Sequence, residues 1–303
     1  MIHFPVSGVE TYWWIPVIVS FTISTLTSMG GVSGAFLLLP FQMSILGFVS
    51  PSVSATNLVY NIVAIPSGVW RYYIEKRLLL PLVTTISVGT LPGVFFGTIF
   101  RIKYLPDPVK FKLFVGLVLL YLFSRLAKDI FRRHSAKIGS EKNLKKTVTS
   151  YSSSLLSLDL VFGGEQFHIS TVRVFILSLI VGVIGGIYGI GGGAIIAPFL
   201  VTVLGIPVHI VAGAALFGTF LTSICGVIFY SILAPSYASA GMSISPDWML
   251  GGLFGLGGAA GMYLGARLQR LVSDRIIKSI LALSIGFIAI KYIFTFILSL
   301  WGR

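Results

Sequence analysis

The stretch Ile187-Tyr188-Gly189-Ile190-Gly191-Gly192-Gly193 interrupts a long apolar segment, and Met29-Gly30-Gly31-Val32-Ser33-Gly34 interrupts another one 158 residues earlier. Pro198-Phe199 follows the second cluster and Pro40-Phe41 the first. Glycine removes side-chain bulk and weakens a helix, so a glycine cluster inside an apolar span predicts a break at membrane depth. Exposed backbone is tolerated there only where it is buried in protein or lines a cavity. Paired broken helices in two halves of one chain point to a transporter's substrate site.

The composition around these clusters supports a membrane setting. Of 303 residues, 55% are hydrophobic and only 10% charged, against about 25% charged in soluble domains. Mean hydropathy is +0.96. Apolar spans are read at 14–47, 52–71, 79–101, 109–130, 172–204, 208–233, 247–268 and 277–300. One crossing takes about 20 residues, so the first and fifth spans are overlong, and these two carry the glycine clusters. The N-terminus lacks a basic region, and Pro5 and Glu10 interrupt it, which argues against a cleaved signal peptide. The fold class is an all-α polytopic protein of the cell membrane, in contact with the lipid bilayer.

The two halves match at the constant offset of 158. Gly31 pairs with Gly189, Gly34 with Gly192, Pro40-Phe41 with Pro198-Phe199, Asn61 with Thr219 and Tyr72 with Tyr230. Further on, Gly93-x-x-x-Gly97 matches Gly261-x-x-x-Gly265 at an offset of 168. The expected organisation is a duplication of about four spans each, 14–130 and 172–300, joined by a polar segment at 131–171. That segment is basic, then Ser-rich, and alternates over Leu158–Ile169 around Gly163-Gly164, a pattern for a short hairpin. If each overlong span returns to its own side, the repeats are inverted. Loops 71–77, 125–171 and 267–278 then share one side with at least fifteen Lys and Arg, against four in loop 101–112. The positive-inside bias favours this arrangement and places 131–171 in the cytoplasm.

Charge and motif content exclude other classes. The net charge of +13 sits at span ends, where it meets lipid headgroups, so no nucleic acid is expected. All nine Asp and Glu lie at span ends or in loops, which disfavours a cation carrier. No metal-ligating pair, hydrolase set or nucleotide loop is present, so neither enzyme activity nor a cofactor or metal is expected. Cys225, the single cysteine, reads as a packing residue. Arg71 and Arg101, at helix ends, read as topology anchors or as cations that concentrate an anion in a vestibule. Lys291 reads as a snorkelling side chain or an attractor of anions, and His209 as an interfacial residue.

The candidate substrate-binding residues come from two places. Gly30, Gly31, Ser33 and Gly34, with Gly189, Gly191, Gly192 and Gly193, mark the breaks. A half-helix starting at mid-membrane presents free N–H groups and the positive end of its dipole, an anion site without formal charge. Thr56, Asn57 and Asn61 lie on one face of the following helix, and Thr219, Thr222 and Ser223 occupy similar depth in the second half. Close helix packing explains the glycines equally well, and interhelical hydrogen bonding explains the polar residues.

Gly189–Pro207, with its Gly-Ile-Gly-Gly-Gly, Pro-Phe and Leu-Gly-Ile-Pro, resembles the TauE/SafE sulfite exporter family. So does the first-half echo, Gly30–Gly47 followed by Ala55-Thr56-Asn57-Leu58, and the resemblance runs from about residue 14 to 300. It implies a duplicated transporter for a small sulfur-containing or organic anion, sulfite or an organosulfonate, coupled to protons. The first repeat departs with Gly-Gly-Val-Ser-Gly for the usual Gly-x-Gly-Gly-Gly. The second reads Ala212-Gly213-Ala214-Ala215-Leu216, where the family has Thr-Ser before the Leu. Recognition is then expected to lean on Thr56 and Asn57. The alternative is an anion channel of the same architecture.

Overall fold

The computed structural model of the chain describes residues 1–29, 32–74, 78–132, 148–153, 157–162, 165–192, 195–197, 199–200, 208–239, 241–268 and 274–301. Nine helices are named here within them. They are α1 (Trp14–Met29), α2 (Ala35–Ser44), α3 (Ser52–Ile74), α4 (Leu80–Tyr104), α5 (Pro108–Arg132), α6 (Thr171–Tyr188), α7 (Val208–Ala238), α8 (Trp248–Leu268) and α9 (Asp274–Trp301). By length and composition, five segments suffice to cross a membrane: Leu80–Tyr104, Thr171–Tyr188, Val211–Ala238, Trp248–Leu268 and Ala282–Ser299. Helices α1 and α2 are apolar but shorter.

Local sequence sets several helix starts. Pro81 opens α4 in the first turn, where the missing N–H costs nothing. Asp107 accepts from the Val109 amide at 2.7 Å ahead of α5, and Ser170 accepts from the Arg173 amide at 3.4 Å ahead of α6. Asp247 accepts from the Leu250 amide at 3.0 Å and caps α8. Its other oxygen accepts from the Ser7 hydroxyl at 2.8 Å, which ties down an N-terminal hairpin, β1 (Ile2–Phe4) with β2 (Val9–Thr11). The span pattern contains no sign of that hairpin. A second small sheet is antiparallel, with β3 (Val148–Ser153), β4 (Ser157–Phe162) and β5 (Glu165–Ser170) in that order. Its Leu158–Ile169 cross-strand pair is buried.

The packing is inside-out relative to a soluble protein. Ile18, Phe96, Leu256, Leu283, Phe287 and Phe294 are exposed, whereas Ser24, Asn57, Asn61, Thr90, Ser178 and Thr222 are fully buried. Apolar contact with lipid gives no net drive to associate, so helices join through close backbone approach and buried hydrogen bonds. Helix α4 lays Gly89, Gly93 and Gly97 against α6, and α8 lays Gly257, Gly261 and Gly265 against α1. At Gly93, Gly97, Gly257 and Gly261 the atom nearest an added Cβ is a backbone carbonyl oxygen of the facing helix, and it would overlap; at Gly89 and Gly265 a serine side chain is nearer still, with a carbonyl oxygen just behind it. Helix α3 packs on α8 and α7 on α4, α3 and α7 touch each other, and α5 pairs with α9.

Gly261→Leu forces α8 away from the Phe21 carbonyl of α1, with a cost of about 1–3 kcal/mol or more. The expected outcome is loss of monodisperse protein in detergent, read by size exclusion. Gly252→Leu, at a glycine with no neighbour within 4 Å of an added Cβ, leaves the elution profile unchanged.

Candidate functional site

Helix α6 ends at Gly189, whose φ of +79° is a left-handed conformation that side chains other than glycine's rarely adopt. The Gly189 and Ile190 amides both donate to the Gly185 carbonyl, at 2.8 and 3.1 Å, and close the helix end. Gly191 is again left-handed, at φ +71°. Helical bonding resumes where the Ile196 amide donates to the Gly192 carbonyl at 3.2 Å. In the first half α1 ends at Met29, and α2 starts with the Leu37 and Leu38 amides on the Gly34 carbonyl. Gly30, Gly31 and Gly193 lie outside the described residues.

The two turns meet at α3. The Asn57 amide nitrogen donates to the Ala35 carbonyl at 3.1 Å and to the Gly189 carbonyl at 2.8 Å, so one side chain holds both. One turn on, Asn61 donates to the Ile190 carbonyl at 3.0 Å and accepts from the Ser33 hydroxyl at 2.6 Å. Gln42 donates to the Asn57 side-chain oxygen at 3.3 Å. The Tyr188 hydroxyl crosses from α6 to the Phe36 carbonyl of α2 at 2.7 Å. Tyr60 exchanges a hydrogen bond with Ser24 of α1 at 2.7 Å, and its hydroxyl fills the space a Cβ on Gly34 would take.

Helix α7 closes the other flank. A Cβ on Gly191 would meet Thr219 and Ser223, and the Gly192 amide donates to the Thr222 hydroxyl at 3.4 Å. Thr219 and Thr222 direct their own protons to carbonyls one turn back in α7, at 2.8 Å each. The Ser223 hydroxyl is buried without a partner, as is the side-chain oxygen of Gln42.

The expected residues therefore divide. Ser33, Gly34, Asn57, Asn61, Gly189, Gly191, Gly192, Thr219, Thr222 and Ser223 come together in one buried region. Thr56 faces away and accepts from the Asp247 amide at 2.9 Å, holding the start of α8. Both observed donations of Asn57 go to backbone carbonyls, so its amide joins the turns. The site also contains Gln42, Tyr60 and Tyr188, which the pattern reading passed over. Gln42 had a visible signal as the polar residue inside the apolar run after Pro40, and Tyr188 as the residue directly before the second glycine cluster. Lys291 lies exposed on α9, away from this region, and the His209 side chain lies outside the described residues.

The polar groups gathered here are neutral: hydroxyls, carboxamides and peptide groups. The model for the sulfite exporter TauE/SafE family matches residues 17–292. The chain belongs to the TauE/SafE sulfite exporter family. A probable membrane transporter protein, YjnA, from Bacillus subtilis (strain 168) is 24% identical over 269 residues, covering 86% of this chain and 91% of that protein. A sulfite exporter TauE/SafE family protein 1 from Arabidopsis thaliana is 28% identical over 114 residues, 38% of this chain and 24% of the plant protein. No solved structure matches. As a TauE/SafE member the chain is a multi-pass membrane transporter and not an enzyme.

Asn57→Leu removes the donor shared by Ala35 and Gly189 and leaves two buried carbonyls short of a partner, at about 1–3 kcal/mol each. The expected outcome is a clearly lowered melting temperature in detergent. Thr56→Val, which removes an acceptor at the α8 start, lowers it less.

Proposed function

We propose that the chain is a secondary transporter that moves a small sulfur-containing anion, sulfite or an organosulfonate, by alternating access around the Gly34 and Gly189–Gly192 turns. The observation that carries this reading is the joining of both turns through Asn57 and Asn61, in a chain of a family described as sulfite exporters. The N-terminal end of α2 and the unpartnered Ser223 hydroxyl supply donors of the kind an oxyanion takes.

The repeat reading, 14–130 and 172–300 around a cytoplasmic 131–171 segment, draws support from the helix contacts. Exchanging α1 with α6, α3 with α7, α4 with α8 and α5 with α9 turns the main helix pairings into one another: α4–α6 into α8–α1, and α3–α8 into α7–α4. The contacts α3–α7 and α5–α9 map onto themselves. Such a two-fold arrangement lets one half adopt the other's conformation, which is the basis of alternating access in repeat transporters. The inverted form is preferred because it collects the basic loops on one side. Membrane potential or protons supply the driving force. An anion leaving a cell with a negative interior gains about 2.3 kcal/mol per charge per 100 mV, so export needs no coupled ion.

Radiolabelled sulfite flux into proteoliposomes, under imposed pH and voltage gradients, tests the reading. Saturable flux competed by organosulfonates is expected. Conductance without saturation identifies the channel alternative, and absence of both removes sulfite as the substrate. Ser223→Ala raises the half-saturating concentration about tenfold, the worth of one hydrogen bond to a charged group, and leaves the melting temperature unchanged because the hydroxyl has no protein partner to lose.

A further inference from the structure

Arg101 lies in the last turn of α4 and is fully buried. Its Nη1 donates to the Leu105 carbonyl, and its guanidinium carbon sits 3.6 Å from the centre of the Phe111 ring of α5. Its Nε and Nη2 are buried with no hydrogen-bond partner. Among the described residues no carboxylate pairs with it. A guanidinium taken out of water without a counter-charge is strongly unfavourable, and proteins normally neutralise it with an acid.

Two further orphaned groups lie beside it. One turn back on the same face of α4, the Thr98 hydroxyl is buried without a partner. The Tyr230 hydroxyl of α7 is likewise buried and makes no well-aligned hydrogen bond, although the Thr98 and Ser54 hydroxyls lie close enough for weak ones, and it lies within electrostatic reach of Arg101. Four unsatisfied atoms, Arg101 Nε, Arg101 Nη2, Thr98 Oγ1 and Tyr230 OH, thus come from two helices that pack together. The two guanidinium nitrogens can only donate, whereas the hydroxyls both donate and accept, so an anionic acceptor is the guest that satisfies the buried cation. Ser54 connects the cluster to the candidate site, because its Cα and Cβ abut Gly189 and its hydroxyl donates to the Tyr188 carbonyl at 3.5 Å.

We infer that Arg101, Tyr230 and Thr98 form an oxyanion-binding site beside the second glycine turn, the charged stage of the path whose neutral stage lies at the turns. This rests on the transport reading for its role, but the binding itself does not. Arg101 is held at the Pro108 end of α5 by Phe111. The guest is a free sulfite-like or sulfonate oxyanion, for which a guanidinium offers paired N–H donors.

The test is calorimetric titration of the full chain in lipid-free detergent with sodium sulfite and with methanesulfonate, for wild type, Arg101→Met and Tyr230→Phe. Wild type binds, Arg101→Met loses at least about tenfold in affinity, and Tyr230→Phe loses about fivefold, in line with charge-assisted hydrogen bonds. Tyr230→Phe keeps the anion-free melting temperature; in Arg101→Met the loss of the Leu105 hydrogen bond and the Phe111 contact is offset by removal of a buried charge without a counter-charge, so its melting temperature is read alongside its affinity. If Arg101→Met does not fold, Tyr230→Phe carries the test, because its hydroxyl makes no well-aligned hydrogen bond within the protein. Wild-type affinity in the variants overturns the site. So does binding confined to phosphatidylglycerol added to the detergent, which assigns the cation to a lipid headgroup. Sulfite flux with unchanged binding in the variants leaves the transport reading standing and removes this site. Weakened binding in the variants with no flux in wild type does the reverse.

Discussion

Two helix ends buried in the interior of a membrane protein leave carbonyl and amide groups that water cannot reach, and the rest of the architecture follows from satisfying them. Asn57 does most of this, with one amide group on the Ala35 carbonyl of the first turn and the Gly189 carbonyl of the second. Asn61 adds Ile190 and takes the Ser33 proton, and Tyr188 reaches back to Phe36. Because α3 bonds to both turns, a shift of either one relative to α3 breaks hydrogen bonds that nothing else in the interior replaces.

Around this centre the helices are held by proximity more than by apolar burial. The glycine rows of α4 and α8 bring backbones into direct contact with α6 and α1, where any side chain would overlap the facing helix. The large apolar side chains are left for the lipid side. Among the described residues the polar interior that results is neutral near the turns and cationic at Arg101, whose charge is covered by Phe111 and not by an acid.

Much of the site was legible in the pattern of residues because glycine, asparagine and proline act through local rules. The left-handed Gly189 and Gly191 lie where the cluster predicted a break, and Asn57 and Asn61 share a face because they are four residues apart. Thr56 sits next to Asn57 in the sequence yet turns to Asp247, since neighbouring positions on a helix point about 100° apart and only the packing says which direction is inward. Tyr60 gave little signal because a single aromatic residue in an apolar run is compatible with many surroundings.

The amino-acid sequence by itself determined that the chain is a polytopic helical membrane protein, because charge is too sparse and apolar runs too long for any other solvent. It also determined where helices yield, because glycine clusters act on the backbone locally. Tertiary structure alone decided what those breaks bond to, since hydrogen-bond partners such as Asn57 with Gly189, or Tyr188 with Phe36, stand more than a hundred residues apart. It also decided the state of Arg101. A basic residue at a helix end snorkels to water unless another helix covers it, and only the folding of α5 over α4 places Phe111 there.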